Sequence, residues 1–126
     1  MRCLTVQHTG TTEEDDNIAI LNDSGSPRLT HVSAIALGDG GANHIGVSNQ
    51  GSSQLTMKDV TASATGNSSR NPNTGVEIEN GNVTIRQSKL SATGPGQDLA
   101  LASGGGITKI AVSQKVGGIQ AINNSL

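Results

Sequence analysis

The sequence predicts an all-β solenoid, in which short parallel strands wind turn upon turn around one narrow core. Three observations carry that expectation. Apolar and polar residues alternate in short runs such as Val76-x-Ile78 and Val83-x-Ile85, the period of a half-buried strand. Runs of one type recur at spacings of 27, 31, 23 and 20 residues. Asn-Gly and Thr-Gly pairs, such as Asn80-Gly81 and Thr93-Gly94, close the runs as corners do.

Composition agrees with a narrow core. The chain has 126 residues, no Phe, Tyr or Trp, 17 Gly, 33% hydrophobic residues and a net charge of -2. Polar, glycine-rich chains are often disordered, but here the charge is too small for self-repulsion and the apolar residues are in phase. Val, Ile, Leu and Ala can then fill a thin solenoid. One β-helix domain over residues 1–126 is expected, complete or as a stretch of a longer solenoid. Cys3 is the only cysteine, so an internal disulfide is excluded. The first residues lack the apolar run of a signal peptide, and no window reaches the 18 or so apolar residues of a membrane helix. No membrane partner and no particular compartment is therefore expected.

Taken in order, the chain repeats one frame. Leu4 and Val6 lead loosely to Gly10, and Ile18-x-Ile20-x-Asn22 opens the first clear unit. Leu29-x-x-Val32-x-Ala34-x-Ala36-x-Gly38 completes it, with two unpaired residues marking a bend between strands. Ile45-x-Val47-x-Asn49 and Leu55-x-Met57-x-x-Val60-x-Ala62-x-Ala64-x-Gly66 form the next unit. Val76-x-Ile78-x-Asn80 then leads to Val83-x-Ile85-x-x-Ser88-x-Leu90-x-Ala92-x-Gly94. Leu99-x-Leu101-x-Ser103 and Ile119-x-Ala121-x-Asn123 follow, with Ile107, Val112, Val116 and Gly118 between them. Lys109 falls on an inward position, so a local bulge is expected there. About five turns result. Ile18, Ile20, Ile45, Val47, Val76, Ile78, Leu99 and Leu101 are assigned to the core, with Glu77 and Glu79 outside and solvated.

This pattern resembles the right-handed parallel β-helix of the pectate-lyase-like superfold over most of the chain. In that alignment Asn22, Asn49, Asn80, Ser103 and Asn123 share one corner. The resemblance implies an asparagine ladder, with side-chain amides bonded along the axis. Asn suits the place because its short amide bonds nearby backbone and tolerates left-handed geometry.

Polar inserts interrupt the frame after Gly10, Gly38, Gly66 and Gly94: residues Thr11 to Asn17, Asp39 to His44, Asn67 to Thr74 and Pro95 to Asp98. They must emerge along one edge, where repeat proteins place recognition. Asp39, His44, Arg70 and Asp98 on this edge are the candidate ligand-binding residues. Glu13, Glu14, Asp15 and Asp16 form the densest acidic run, weak metal candidates because they lack the Asp/Asn and Gly spacing of a calcium loop. His8, His31 and His44 share no spacing and have no cysteine partner, so neither a zinc site nor another cofactor is expected.

Glycoside hydrolysis needs carboxyl groups converging at about 5 to 9 Å. Glu77 and Glu79, next but one on a strand, sit about 7 Å apart and read as surface charges. Without aromatic residues the chain has no stacking platform for sugars or bases, and without a basic run it has no footprint for nucleic acid. Ile35 and Leu37, on outward positions, are candidate interface residues. The functional expectation is a non-catalytic structural or adhesive module that self-associates and presents its loop edge to a partner. Carbohydrate, or a surface or phage-type assembly, is the partner class the resemblance implies. The alternative is a reduced polysaccharide lyase or hydrolase with its site on the insert edge.

Overall fold

The computed structural model describes residues 3–10, 16–39, 43–67, 70–104, 106–116 and 118–121. They form strands β1 (Leu4–Gly10), β2 (Asn17–Asp23), β3 (Arg28–Thr30), β4 (Val32–Gly38), β5 (His44–Gln50) and β6 (Gln54–Lys58). β7 (Thr61–Gly66), β8 (Asn73–Ile78), β9 (Asn82–Thr93), β10 (Asp98–Ser103), β11 (Gly106–Val116) and β12 (Gly118–Ala121) follow. Among the described residues there is no helix, and every strand pair is parallel. The protein is an all-β parallel solenoid.

Three walls enclose the core. The first is the sheet β2-β5-β8-β10-β12. The second is β3-β6 with the first half of β9, and the third is β1-β4-β7 with the second half of β9. β9 runs through both walls as one strand, and β11 pairs along it. About three turns close in this way, over residues 17–38, 44–66 and 73–94, rather than the five expected. Counting the strands of one wall overstates the turns, because β1, β10, β11 and β12 lengthen the sheets beyond those three.

The bend between the second and third walls has a backbone cause. His31, Asp59 and Gln87 have φ of 55°, 53° and 50°, in the left-handed region that non-glycine residues seldom enter. They fall at the unpaired positions before Val32, Val60 and Ser88. Amide donation continues through them, from His31 N to Lys58 O and from Asp59 N to Arg86 O, both at 3.2 Å. Beyond the bend Ser88 stands where Val60 stands one turn earlier. Its buried hydroxyl accepts from Val60 N at 3.2 Å and donates to Arg86 O at 2.8 Å, so the polar replacement is satisfied.

Val47, Val76, Ile78 and Leu101 of the first wall pack against Leu55, Met57, Val83 and Ile85 of the second and Val32, Val60 and Leu90 of the third. Ile20 packs partly buried against the same cluster. Three other expected core residues do not belong to it. Ile45 is buried outside the cluster, and Ile18 and Leu99 are half-buried. The residues between them explain why. Ala19, Gly46, Gly75 and Ala100 stack on neighbouring strands, and Ala100 is in the core. A methyl added to Gly46 would lie 2.9 Å from Ser63 N and 2.7 Å from Gly75 O, so the first and third walls approach to backbone contact there. With this column turned inward, Ile18 and Leu99 are left half-buried, while Ile45 stays buried.

The asparagine ladder is shorter than expected. Asn22 pairs with Asn49 as the alignment required, but Asn49 pairs with Ile78 and Ile78 with Ser103. The register at β8 is displaced by two residues from the sequence alignment. A slip of two leaves each side chain on its original face, which is why the core assignment largely survives. Asn80 falls beyond β8 with its side chain exposed. Asn123 lies outside the described residues. The bulge expected at Lys109 is present, as a register shift between Ile107 and Lys109 against β9.

Candidate functional site

Two columns of residues build the insert edge. Gly10, Gly38 and Gly66 end β1, β4 and β7 in register, and Gly94 follows β9. Asn17, His44, Asn73 and Asp98 begin β2, β5, β8 and β10, also in register. Each insert connects one column to the other. Three of the expected inserts therefore end on the first residue of a strand, Asn17, His44 and Asp98, and β8 begins at Asn73, one residue before the other expected insert ends; these four side chains turn back towards the glycines.

A methyl on Gly38 would overlap the His44 ring, and one on Gly66 would overlap both His44 and Asn73. Only a column without side chains leaves room for the polar one. Asn17 donates from Nδ2 to Leu37 O at 2.5 Å and contacts His44 Nδ1 at 3.2 Å. An amide nitrogen only donates, so Nδ1 of His44 is the acceptor at this contact. Asn73 Nδ2 donates to Asp98 Oδ1 at 2.9 Å and reaches Gly66 O at 3.5 Å. The structure thus places a buried polar stack beneath the loops.

Above it, further bonds clip one turn to the next. Asn43 Nδ2 donates to Asp16 Oδ1 at 2.9 Å, and Asn67 Nδ2 donates to Asp39 Oδ1 at 2.7 Å. Of the four candidate ligand-binding residues, Asp39 is exposed and engaged by Asn67. Arg70 is exposed on the connection between β7 and β8. Asp98 is half-buried and engaged by Asn73, while His44, only 1% exposed, lies inside. His44 and Asp98 share one column with Asn73 between them, and neither Asp39 nor Arg70 belongs to that column. Among the metal candidates, Glu13, Glu14 and Asp15 lie outside the described residues, and Asp16 is the partner of Asn43. Among the described residues no three His, Cys, Asp or Glu side chains group as a metal site.

Asn17 and Asn73 were not singled out from sequence, although a signal exists. Three units have a polar residue immediately before their first apolar strand residue, in Asn17-Ile18, His44-Ile45 and Asp98-Leu99, which marks Asn17; Asn73 lacks it, because Thr74 and Gly75 separate it from Val76. At the other corner Asn22 Nδ2 donates to Asn49 Oδ1 at 2.7 Å, a side-chain rung. Asn49 Nδ2 then donates to the backbone carbonyl of Asn80 at 2.9 Å. Ser103 is buried in the same column, next to Ile78. Ile35 and Leu37 are half-buried on the outer side of β4, alternating with the fully buried Ala34 and Ala36.

The outer face of the first wall carries a cleft of about 430 Å³ between β8 and β10, with Pro72 and Gln97 at its insert end and Thr74, Leu99, Glu77 and Glu79 along it. Glu77 is half-buried rather than fully solvated. Burial, then the carboxylates of Glu79 and Asp16, hold its pKa above the usual carboxylate value. Comparison of the chain with protein-family models, with curated proteins and with solved structures finds no match.

Proposed function

We propose that the chain is a non-catalytic structural or adhesive solenoid, wound as in the right-handed pectate-lyase-like superfold, that self-associates and offers its insert edge to a partner. One observation carries this reading: the polar groups of the edge bond across turns. Asp16, Asp39 and Asp98 are each engaged by an asparagine of a neighbouring turn. Such bonds stiffen the stack and fix loop spacing, as a rigid display surface needs. A catalytic pair would instead direct its carboxylates at one reacting centre. The half-buried Ile35 and Leu37 on the third wall are the apolar contacts this reading assigns to lateral packing.

The reduced carbohydrate-active enzyme is favoured by one feature, the raised pKa of Glu77 in a cleft bordered by insert residues. Incubation with a panel of acidic and neutral polysaccharides, with both retention and product release measured, separates the two. Retention without turnover supports the adhesive module. Turnover that disappears in Glu77→Gln, Asp39→Ala or Asp98→Ala would replace it with the enzyme.

A further inference from the structure

The second wall carries a groove of about 450 Å³ on its outer face, lined by Arg28, Thr56, Lys58, Thr84, Arg86 and Gln87. Register places Thr56 beside Arg28 and Thr84, and Lys58 directly beside Arg86. Neighbouring strands lie about 4.8 Å apart, so the Lys58 and Arg86 charges stack at close range. Like charges directly opposite on adjacent strands repel. None of the three cations is ion-paired among the described residues. Every lining group carries a hydrogen-bond donor, and none is acidic. Such a surface calls for a negative counterpart.

The neighbouring wall presents one. Asp23 and Gln50 are in register on β2 and β5, and Gln50 Nε2 donates to Glu79 Oε1 at 3.0 Å. Asp23 and Glu79 are exposed, and Glu77 lines the cleft beside them. No cation lines that cleft. Burial first, then the neighbouring carboxylates of Glu79 and Asp16, hold the pKa of Glu77 above the usual carboxylate value. Both charge columns run along the solenoid axis and step with its strands. In two copies of one chain the strand spacing is identical, so the two strand steps from Arg28 to Arg86 equal the two from Asp23 to Glu79, with Lys58 on the middle strand of one wall and the neutral Gln50 on the middle strand of the other.

We infer that the Arg28, Lys58 and Arg86 groove of one copy receives the Asp23, Glu77 and Glu79 face of a second copy, packing solenoids side by side. This rests on the self-association reading but assigns it to charged walls rather than to Ile35 and Leu37. The contact is heterologous, basic wall to acidic wall, so repetition gives rings or filaments rather than a closed two-fold dimer.

Charge reversal with sedimentation velocity tests it, each variant first shown to be folded by its far-ultraviolet circular dichroism. The Lys58→Glu/Arg86→Glu variant makes both walls acidic. The Asp23→Lys/Glu79→Lys variant makes the acidic wall basic and changes only exposed residues. The expected result is association of the wild type at about 10 mM ionic strength, where the Debye length is about 30 Å, weakened about tenfold or more at about 0.15 M, where it is about 8 Å. Each variant alone stays monomeric, and an equimolar mixture of the two associates again. Variants that associate as the wild type does would overturn the charged interface and leave self-association standing. A wild type that stays monomeric at low salt would overturn both, whether or not the groove then binds an acidic polymer such as polyglutamate.

Discussion

Gly66 lies against the imidazole of His44 so closely that a single methyl on the glycine would overlap the ring's Cδ2. The glycine column and the polar column are therefore one device. The first closes each turn without a side chain, and the second fills the space with amides, an imidazole and a carboxylate.

Gly66→Ala should accordingly destabilise the protein by about 1–3 kcal/mol through overpacking of a site with no slack. Urea unfolding followed by circular dichroism measures it. Gly104→Ala is the control, because the nearest atom to its added methyl is 3.6 Å away, and should cost under about 0.5 kcal/mol. Adding His44→Ala to Gly66→Ala should cost less than the sum of the two, since both act on one space.

At the opposite corner, Asn49→Ala should cost about 1–3 kcal/mol, because it leaves the Asn80 carbonyl without its side-chain donor and the buried Asn22 amide with the Gly25 carbonyl as its remaining acceptor. Asn80→Ala should cost under about 0.5 kcal/mol, because its exposed side chain makes no rung. Equal losses from the two would show that Asn80 takes part in the ladder after all.

These two corners mark how far the sequence could be read. Alternation and glycine spacing placed Ala34, Ala62, Leu90 and Ala92 inward correctly, because period 2 reports a face directly. The unpaired positions before Val32, Val60 and Ser88 located the left-handed bends for the same reason. Register was not legible to within two residues, since a slip of two preserves every face and Val76-x-Ile78 resembles Ile45-x-Val47 in either setting. The inward Ala19, Gly46, Gly75 and Ala100 column escaped notice because small residues carry little hydrophobic signal. Its effect was to leave Ile18 and Leu99 half-buried rather than in the core. On the insert edge, Asp39, His44 and Asp98 were recognised as polar, but their use in turn-to-turn bonding depends on Asn17, Asn43, Asn67 and Asn73.

Glu77 gives a prediction in pH. Its pKa lies above the ordinary value of 4.5, chiefly through burial and then through Glu79 and Asp16, so folding favours the protonated form. The stability it contributes is fully present below the unfolded-state value and is lost as pH rises through the folded-state value. Glu77→Gln, measured by thermal unfolding in dilute solution, should therefore be more stable than the wild type at about pH 7, with the advantage fading towards about pH 4. Loss of stability at neutral pH would instead show that the charged form is held by a favourable contact.

The most direct test of the structural, self-associating reading is the mass of the protein in solution. Light scattering with refractive-index detection suits a chain that has no Trp or Tyr to absorb at 280 nm. At low ionic strength the weight-average mass should exceed the 12.7 kDa of one chain and rise with concentration. A constant 12.7 kDa up to high micromolar concentration would contradict it.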